Sequence, residues 1–163
     1  TVLCSGSPDT PVIMPDLVIA ASTPGERTWA ARLMATSEPW LTLGIHEEKC
    51  MKTCHDPEYL LFIAHDENEP CGMVLLDPRG LAGSPYLKSI AVAATYRNRQ
   101  IGATLLAFAE DLFRKENRHF FLCVSSFNTR ARNFYERNGY HPVGELKDYL
   151  IPGESEIIMH KYL

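Results

Sequence analysis

The chain has 163 residues and a formal charge of -4, with hydrophobic and charged fractions of 45% and 22% that are ordinary for one soluble globular domain. A negative net charge argues against a general nucleic-acid binder, because affinity for a phosphate backbone depends on many clustered Lys and Arg side chains. The five cysteines are scattered and no apolar run is long enough for a membrane span or signal peptide, so we expect a cytoplasmic protein with neither nucleic-acid nor membrane partner.

The first predicted elements are a strand and a helix. Residues 1–16 include a stretch rich in Ser, Gly and Pro and are expected to be a loose leader. Leu17 to Ala21 is an apolar run that fits a first strand. Thr23 and Glu26 form a capping-box pattern with proline at the first helical position, which predicts a helix from about Pro24 to Ser37.

A second helix is predicted near His46 to His55, and it carries residue types that bind metals. His46, Cys50 and Cys54 recur every four residues on one helical face, and zinc accepts all three as ligands. One straight helix cannot wrap three ligands from successive turns around a tetrahedral ion, and no second Cys or His pair completes the set. We therefore expect no metal site.

Three strands are predicted in the middle of the chain. Tyr59 to His65 and Cys71 to Leu76 flank a polar turn and form an antiparallel hairpin. The stretch Asp77 to Pro85, rich in glycine and proline, is interpreted as a loop. It leads into a short apolar strand, Tyr86 to Val92.

A basic turn and an amphipathic helix follow that strand. Apolar side chains recur at helical spacing from Ile101 onward, and Arg97 and Arg99 precede them. The first turn of a helix offers unpaired backbone N–H groups and a partial positive charge that suit a pyrophosphate, while Gly102 and Ala103 allow close approach to the backbone. The same segment also fits a basic loop that caps an ordinary helix.

The next strand and helix make a second unit of the same kind. Phe120 to Val124 is an apolar run, and the helix after it has Asn128 at the cap position and Gly139 at the C-terminal stop. Three residues between them share one helical face: Ala131, Phe134 and Tyr135. The chain closes with predicted strands from Tyr140 to Leu146 and from Glu156 to Tyr162.

The order of these elements predicts the fold class. One strand, two helices, three strands, a helix, a strand, a helix and two strands indicate a single α/β (α+β) domain over residues 17–163. We expect a mostly antiparallel central sheet with helices on both faces. The strand before Arg97 and the strand ending near Val124 are joined through one helix, so this pair is expected to be parallel.

The two units together resemble a known family. The patterns R-x-x-(G)-x-G-A, from Arg97 to Ala103, and N-x-x-A-x-x-F-Y-x-x-x-G-Y, from Asn128 to Tyr140, are similar to those of the GNAT superfamily of acyl-CoA-dependent N-acetyltransferases. One residue departs from the pattern, since Gln100 stands where the family usually has glycine. A glutamine still offers its backbone N–H, so the phosphate cradle survives if Gln100 has an ordinary negative φ.

The resemblance implies a GNAT-like mixed sheet whose parallel strand pair splays apart, with acetyl-CoA as the cosubstrate. The pantetheine arm is expected to hydrogen-bond the backbone of the first splayed strand, with the pyrophosphate on the basic turn and Asn128 touching the cofactor arm or a bridging water. The expected cofactor-binding residues are Ile90, Ala91, Val92, Arg97, Asn98, Arg99, Gln100, Ile101, Gly102, Ala103, Asn128, Ala131 and Phe134.

The expected reaction is direct attack of a neutral primary amine on the thioester carbonyl in a ternary complex. Tyr135 matches the family tyrosine that acts as general acid toward the departing sulfur. A tyrosine packed beside Phe134, with its hydroxyl bonded to the backbone, is the alternative for this position. A backbone N–H near Val92 would polarise the carbonyl.

The identity of the general base is open at this stage. Some relatives carry glutamate at positions held here by Tyr86 and Cys123, and neither of these is a base near pH 7. Glu38, His46 or a water chain is an alternative. The amine could also arrive already neutral.

The acceptor is either a protein N-terminus or a small-molecule amine. In the family the N-terminal helix pair covers the acceptor site, so Trp40 is a candidate substrate residue, with a core-capping tryptophan as the alternative. The terminal hairpin resembles that of GNAT members that acetylate protein N-termini, in which an aromatic residue packs on the acceptor peptide. Tyr149 is the matching residue here. Four acidic residues of that hairpin would suit a cationic acceptor only if they face the cleft: Glu145, Asp148, Glu154 and Glu156.

Two other classes of function were weighed against an acetyltransferase. A catalytically silent acyl-CoA-binding or sensing domain is motivated by Gln100 and by the missing base. A nucleotide-binding module lacks the G-x-x-x-x-G-K-[ST] loop and a suitably spaced acidic partner. For the acetyltransferase we expect a monomer or a homodimer.

Overall fold

The computed structural model describes residues 17–163, and the expected leader at residues 1–16 lies outside the described part of the chain. The strands are β1 (Leu17–Ala21), β2 (Leu60–Asp66), β3 (Glu69–Leu81), β4 (Ser84–Val92), β5 (His119–Ser125), β6 (His141–Leu146) and β7 (Glu156–Tyr162). The α-helices are α1 (Pro24–Ala35), α2 (Glu47–Cys54), α3 (Ile101–Phe113) and α4 (Thr129–Arg137), with a short 3-10 turn at Ala94–Tyr96. This order of elements is the one that the sequence predicts.

The strands of residues 17–163 form one sheet in the order β1-β2-β3-β4-β5-β7-β6. Neighbouring strands are antiparallel except β4 and β5, which are parallel and are joined through α3. The predicted mostly antiparallel α/β fold with one parallel pair is confirmed.

Local sequence signals set the ends of α1. The Glu26 N–H donates to Thr23 Oγ1 at 3.3 Å and the Thr23 N–H donates to Glu26 Oε2 at 2.7 Å, which is the predicted capping box. The helix ends at Ala35, before the predicted Ser37. The hydroxyls of Thr36 and Ser37 bond back to carbonyls of the last turn, and such side-chain bonds compete with helix continuation.

The stretch Asp77 to Pro85 is the end of a hairpin, so its interpretation as a loop is wrong. β3 continues to Leu81 and β4 begins at Ser84, with Ala82 and Gly83 in the turn at φ 49° and 76°. The ladder between the two strands is irregular from Asp77 to Leu81. Proline and glycine are tolerated in such an irregular ladder, which is why composition alone misled the prediction.

Each face of the sheet has its own hydrophobic core. On the α3–α4 face, Leu105 of α3 and Tyr135 of α4 pack with Leu122 of the sheet. On the α1–α2 face, Met34 and Cys50 belong to a second core. Helices therefore cover both faces, and the two cores meet only through the sheet between them.

The parallel pair β4–β5 opens into a fork. The two strands pair only at Tyr86 and Leu87 of β4. Lys88 then has no partner on β3 and forms a β-bulge. A bulge bends and twists its strand, so β4 diverges from β5 at this point. We call the gap between residues 88–92 and residues 123–125 the fork.

Candidate active site

A cleft of about 1520 Å³ passes through the fork. Its walls come from α1, α2 and their connection on one face, from the starts of α3 and α4 on the other, and from the β6–β7 connection. Beyond Leu87, the edge of β4 that faces β5 has no strand partner, so its peptide groups open onto the cleft. The predicted residues Ile90, Ala91 and Val92 all line it.

The basic turn before α3 contains two left-handed residues. Asn98 has a φ of 63° and Gln100 has a φ of 60°. The negative φ that we required of Gln100 is therefore wrong, and the turn needs a conformation that glycine adopts freely. A larger residue in this conformation costs about 1–2 kcal/mol. Left-handed residues within a turn direct neighbouring backbone N–H groups toward one point, as in an anion-binding nest.

The first turn of α3 completes this wall of the cleft. The Thr104 N–H donates to the Gln100 carbonyl at 3.0 Å, so the amides of residues 101–103 precede the helical ladder. A Cβ at Gly102 would lie 3.6 Å from the Phe134 ring, an ordinary contact. Asn98, Gln100 and residues 101–103, which were predicted to bind the cofactor, all line the cleft.

The two arginines of the basic turn have different positions. Arg97 lines the cleft, and its Nε donates to the Val92 carbonyl at 3.4 Å. Arg99 does not line it: its guanidinium lies 3.8 Å from the Asp66 carboxylate and 5.3 Å from the centre of the Tyr96 ring. Of the two predicted arginines, Arg97 alone belongs to the cleft wall.

Tyr135 lines the cleft and also belongs to the hydrophobic core of the α3–α4 face. It is 7% exposed, and its ring packs 5.3 Å from Phe134 and 5.9 Å from Tyr140. Burial raises the pKa of the Tyr135 phenol, so the hydroxyl keeps its proton at neutral pH. A protonated phenol is the form that a proton donor needs.

The remaining predicted cofactor residues come together at the start of α4. Asn128 Oδ1 accepts a hydrogen bond from the Ala131 N–H at 3.2 Å, which confirms the predicted cap. The same amide group also has an NH₂ with two donors, and its oxygen has a second lone pair. Asn128, Ala131 and Phe134 line the cleft, and Gly139, with a φ of 88°, follows the end of α4 as predicted.

Two arginines of α4 were missed as candidate site residues. Arg130 and Arg137 both line the cleft on the α3–α4 face. They lie two helical turns apart and so share a face, a signal that the sequence contained. Together with Arg97 they make this part of the wall basic.

The predicted substrate residues Trp40 and Tyr149 both line the cleft. Trp40 is 8% exposed, packs in the core of the α1–α2 face and also lines the cleft, so its substrate role stays a prediction. Tyr149 is 64% exposed in the β6–β7 connection and lines the cleft beside Leu150. An aromatic residue of the α1–α2 connection and one of the β6–β7 connection therefore both line the cleft.

Tyr86 and Cys123 occupy the base of the fork. Burial, the Cys123 thiol and the Glu156 carboxylate raise the pKa of Tyr86. Burial also raises the pKa of Cys123, against a hydrogen bond from Tyr86 that lowers it. Both groups therefore stay protonated near pH 7, and neither can accept a proton there.

The other proposed bases are less suitable in this structure. Glu38 lines the cleft but is exposed, and its two oxygens accept hydrogen bonds from the Thr42 N–H at 3.2 Å and the Thr42 hydroxyl at 2.9 Å. His46 is the exposed N-cap of α2 and is not part of the cleft wall. Of the four acidic hairpin residues, Glu156 alone lines the cleft.

Within residues 17–163, no helix is long and apolar enough to cross a bilayer. No group of three or more His, Cys, Asp or Glu side chains in that range is arranged to hold a metal ion. Cys50 and Cys54 are instead buried in the α1–α2 core, where the Cys54 thiol lies 3.5 Å from the Met34 sulfur.

Comparison with known proteins agrees with this fold. The model of the acetyltransferase (GNAT) family matches residues 25–140, more than half of the chain. The protein belongs to the GNAT acetyltransferase family. A search of curated proteins finds no match.

Solved structures of the same fold cover nearly the whole chain. Ard1 from Thermoplasma volcanium superimposes with a TM-score of 0.75 at 16% identity, over 91% of this chain and 98% of that one. A mutant of the spermidine N-acetyltransferase SpeG from Vibrio cholerae gives 0.69 at 20% identity, over 91% and 94%. An aminoglycoside 6'-N-acetyltransferase complexed with coenzyme A gives 0.71 at 19% identity, over 89% and 96%.

Proposed function

We propose that the protein is an N-acetyltransferase that transfers the acetyl group of acetyl-CoA to a primary amine by direct attack in a ternary complex. The observation that carries this proposal is the fork, because one cleft joins the basic turn, the open edge of β4 and the Tyr135 phenol. The neighbours support it as well. One contains coenzyme A, and two are named for the acetylation of amines, an aminoglycoside and spermidine.

Each part of the cleft has a task in this reaction. The backbone donors at the start of α3 and Arg97 hold the pyrophosphate. The open edge of β4 binds the pantetheine arm as a further strand would, and a backbone N–H near Val92 polarises the thioester carbonyl. The amine enters from the α1–α2 face between Trp40 and Tyr149. Tyr135 gives its proton to the departing sulfur.

The variant Gly102→Ala tests where the pyrophosphate binds. The added Cβ would make only ordinary contacts within the protein, 3.6 Å from Phe134 and 3.9 Å from Val92, so thermal stability should not fall. The same methyl group would stand in the cleft against the ligand. We expect acetyl-CoA to bind about tenfold more weakly, or about 1.4 kcal/mol, in a calorimetric titration. An unchanged dissociation constant would remove the pyrophosphate from this turn.

Release of free thiol from acetyl-CoA, measured with a panel of primary amines, tests the reaction itself. The panel should contain a diamine, an aminoglycoside, a peptide with a free N-terminus and an aromatic amine. We expect thiol release that depends on the amine and on enzyme concentration. A protein that binds acetyl-CoA tightly but releases no thiol with any amine would instead be the silent acyl-CoA-binding domain.

A further inference from the structure

The proposed reaction needs a group that removes a proton from the amine, and the fork contains a carboxylate without a role. Glu156, the first residue of β7, is 8% exposed and lines the cleft. The Ser125 hydroxyl donates a hydrogen bond to it. Among residues 17–163, no Lys, Arg or His forms an ion pair with Glu156. A buried carboxylate with no cation beside it is complementary to a cationic ligand.

The strand register shows which side of the sheet this carboxylate faces. Ser125 and Glu156 are directly opposite each other on β5 and β7, so their side chains lie on the same face. Leu122 and Val124 of β5 belong to the core on the α3–α4 face. Side chains alternate along a strand, so Cys123 and Ser125 lie on the α1–α2 face. Glu156 therefore faces the side from which the amine enters.

We propose that Glu156 receives the ammonium group of a cationic alkyl amine and accepts its proton before attack on the thioester. This inference rests on the proposed acetyltransferase function and specifies its acceptor class. The amine nitrogen gives one proton to the carboxylate and then forms the bond to the carbonyl carbon, while the carbon–sulfur bond breaks. The sulfur takes the proton of Tyr135, and the second proton of the nitrogen restores the phenol. The proton on Glu156 leaves to solvent.

The groups around Glu156 suit this role. Burial raises the pKa of Glu156, although the hydrogen bond from Ser125 opposes the change, and a higher pKa makes the carboxylate a better proton acceptor. Cys123 and the phenols of Tyr86 and Tyr135 are neutral near pH 7, because burial raises the pKa of each. Glu156, with an ordinary pKa of 4.5, is therefore the most acidic residue type in this cluster.

Other charged side chains of the cleft wall are Lys88, Lys49 and Glu38, beside the arginines described above. Lys88 follows the base of the fork, but its Nζ lies 4.3 Å over the Tyr59 ring. Lys49 of α2 is exposed on the facing wall. Glu38 is bonded to Thr42 on the α1–α2 connection. None of these three groups forms an ion pair with Glu156 or shares its hydrogen bond with Ser125.

The test compares Glu156→Gln with the matched variant Glu154→Gln. Glu154 is two residues away and also accepts a hydrogen bond from a serine hydroxyl, that of Ser126, but it is not part of the cleft wall. Glutamine keeps the size of the side chain and the contact with the hydroxyl. Acetyl-CoA affinity and melting temperature are measured for both variants, followed by kcat/KM against pH for each amine of the panel.

We expect Glu156→Gln to bind acetyl-CoA as the wild type does and to lose 10²–10⁴-fold in kcat/KM for alkyl amines at pH 7. Its remaining rate should rise with pH in step with the neutral fraction of the amine. For an aromatic amine, already neutral at pH 7, the loss should be much smaller. Glu154→Gln should match the wild type with every amine.

A second variant, Ser125→Ala, distinguishes a proton acceptor at Glu156 from a residue that only supports the fold. Ser125→Ala removes the hydrogen bond that lowers the pKa of Glu156, so the acidic limb of the pH profile should move to higher pH. If the wild type acetylates alkyl amines and Glu156→Gln stays within threefold of it, the assignment to Glu156 is overturned while the acetyltransferase function stands. A wild type that acetylates no amine overturns the function, and this inference with it.

Discussion

The substitution Tyr135→Phe separates chemistry from binding and from folding. Loss of a general acid reduces turnover by about 10²–10⁴-fold, which corresponds to about 2.7–5.5 kcal/mol in the barrier. The ring stays packed between Phe134 and Tyr140, so losing one hydroxyl should cost at most about 1 kcal/mol of stability. The effect on turnover therefore exceeds any effect on folding by a wide margin.

The assay is release of free thiol at saturating acetyl-CoA, with acetyl-CoA affinity and melting temperature measured on the same sample. Tyr140→Phe is the matched control, because its hydroxyl donates to the buried Glu110 carboxylate at 3.0 Å and is not part of the cleft wall. That variant should lose about 1.5–3 kcal/mol of stability and keep its turnover. Normal turnover in Tyr135→Phe, or an equal loss in Tyr140→Phe, would refute the role of Tyr135.

Three further substitutions have predictable results. In Gly72→Ala the new Cβ would lie 2.9 Å from Leu105 and 3.2 Å from Ile101, so the free energy of unfolding, measured by thermal denaturation, should fall by about 1–3 kcal/mol. The same clash should displace the start of α3 and weaken acetyl-CoA binding. The stability of the wild type should fall relative to that of Glu156→Gln as pH rises from 4.5, the ordinary pKa of a glutamate, through the raised pKa of Glu156, because the buried carboxyl group must ionise. The melting temperatures of the two proteins should converge below pH 4.5. A difference that stays constant with pH would contradict this prediction. Thr23→Ala should cost about 0.5–2 kcal/mol through the lost cap, with unchanged kcat, and an unchanged melting temperature would show that the cap contributes nothing.

The sequence predicted the elements whose signals are local. The capping box at Thr23, the cap at Asn128 and the stop at Gly139 each depend on residues a few positions apart, and each is confirmed. The order of elements and the parallel pair follow from apolar periodicity, which is local too. Residues 97–103 and the start of the motif at residues 128–140 each follow a strand and lead into a helix. Since a strand followed by a helix fixes the position of the turn between them, both motifs contribute residues to the cleft wall.

The sequence failed where a residue's role depends on its partner across the sheet. Glu156 is one acid among several in the hairpin, and only the pairing with Ser125 brings it into the fork. Arg99 matched the basic turn, but its ion pair with Asp66 of a distant strand could not be read from neighbouring residues. Gln100 shows another limit of sequence reasoning. Its residue type favours a negative φ, but the surrounding structure holds it in the left-handed conformation.

Lys88 is an extra residue of β4 with no partner on β3, and the opening between β4 and β5 depends on this extra position more than on the identity of its side chain. This has a consequence for how the protein can evolve. Deletion of Lys88 would leave Leu87 and Ser89 opposite their present partners on β3 and would remove the bend. We expect the β4–β5 ladder then to continue and close the passage, which slower amide exchange along residues 89–92 would reveal. Replacement of Lys88 by another residue retains the extra position and the opening. At this position we therefore expect deletion of the residue to disturb the passage more than its replacement does.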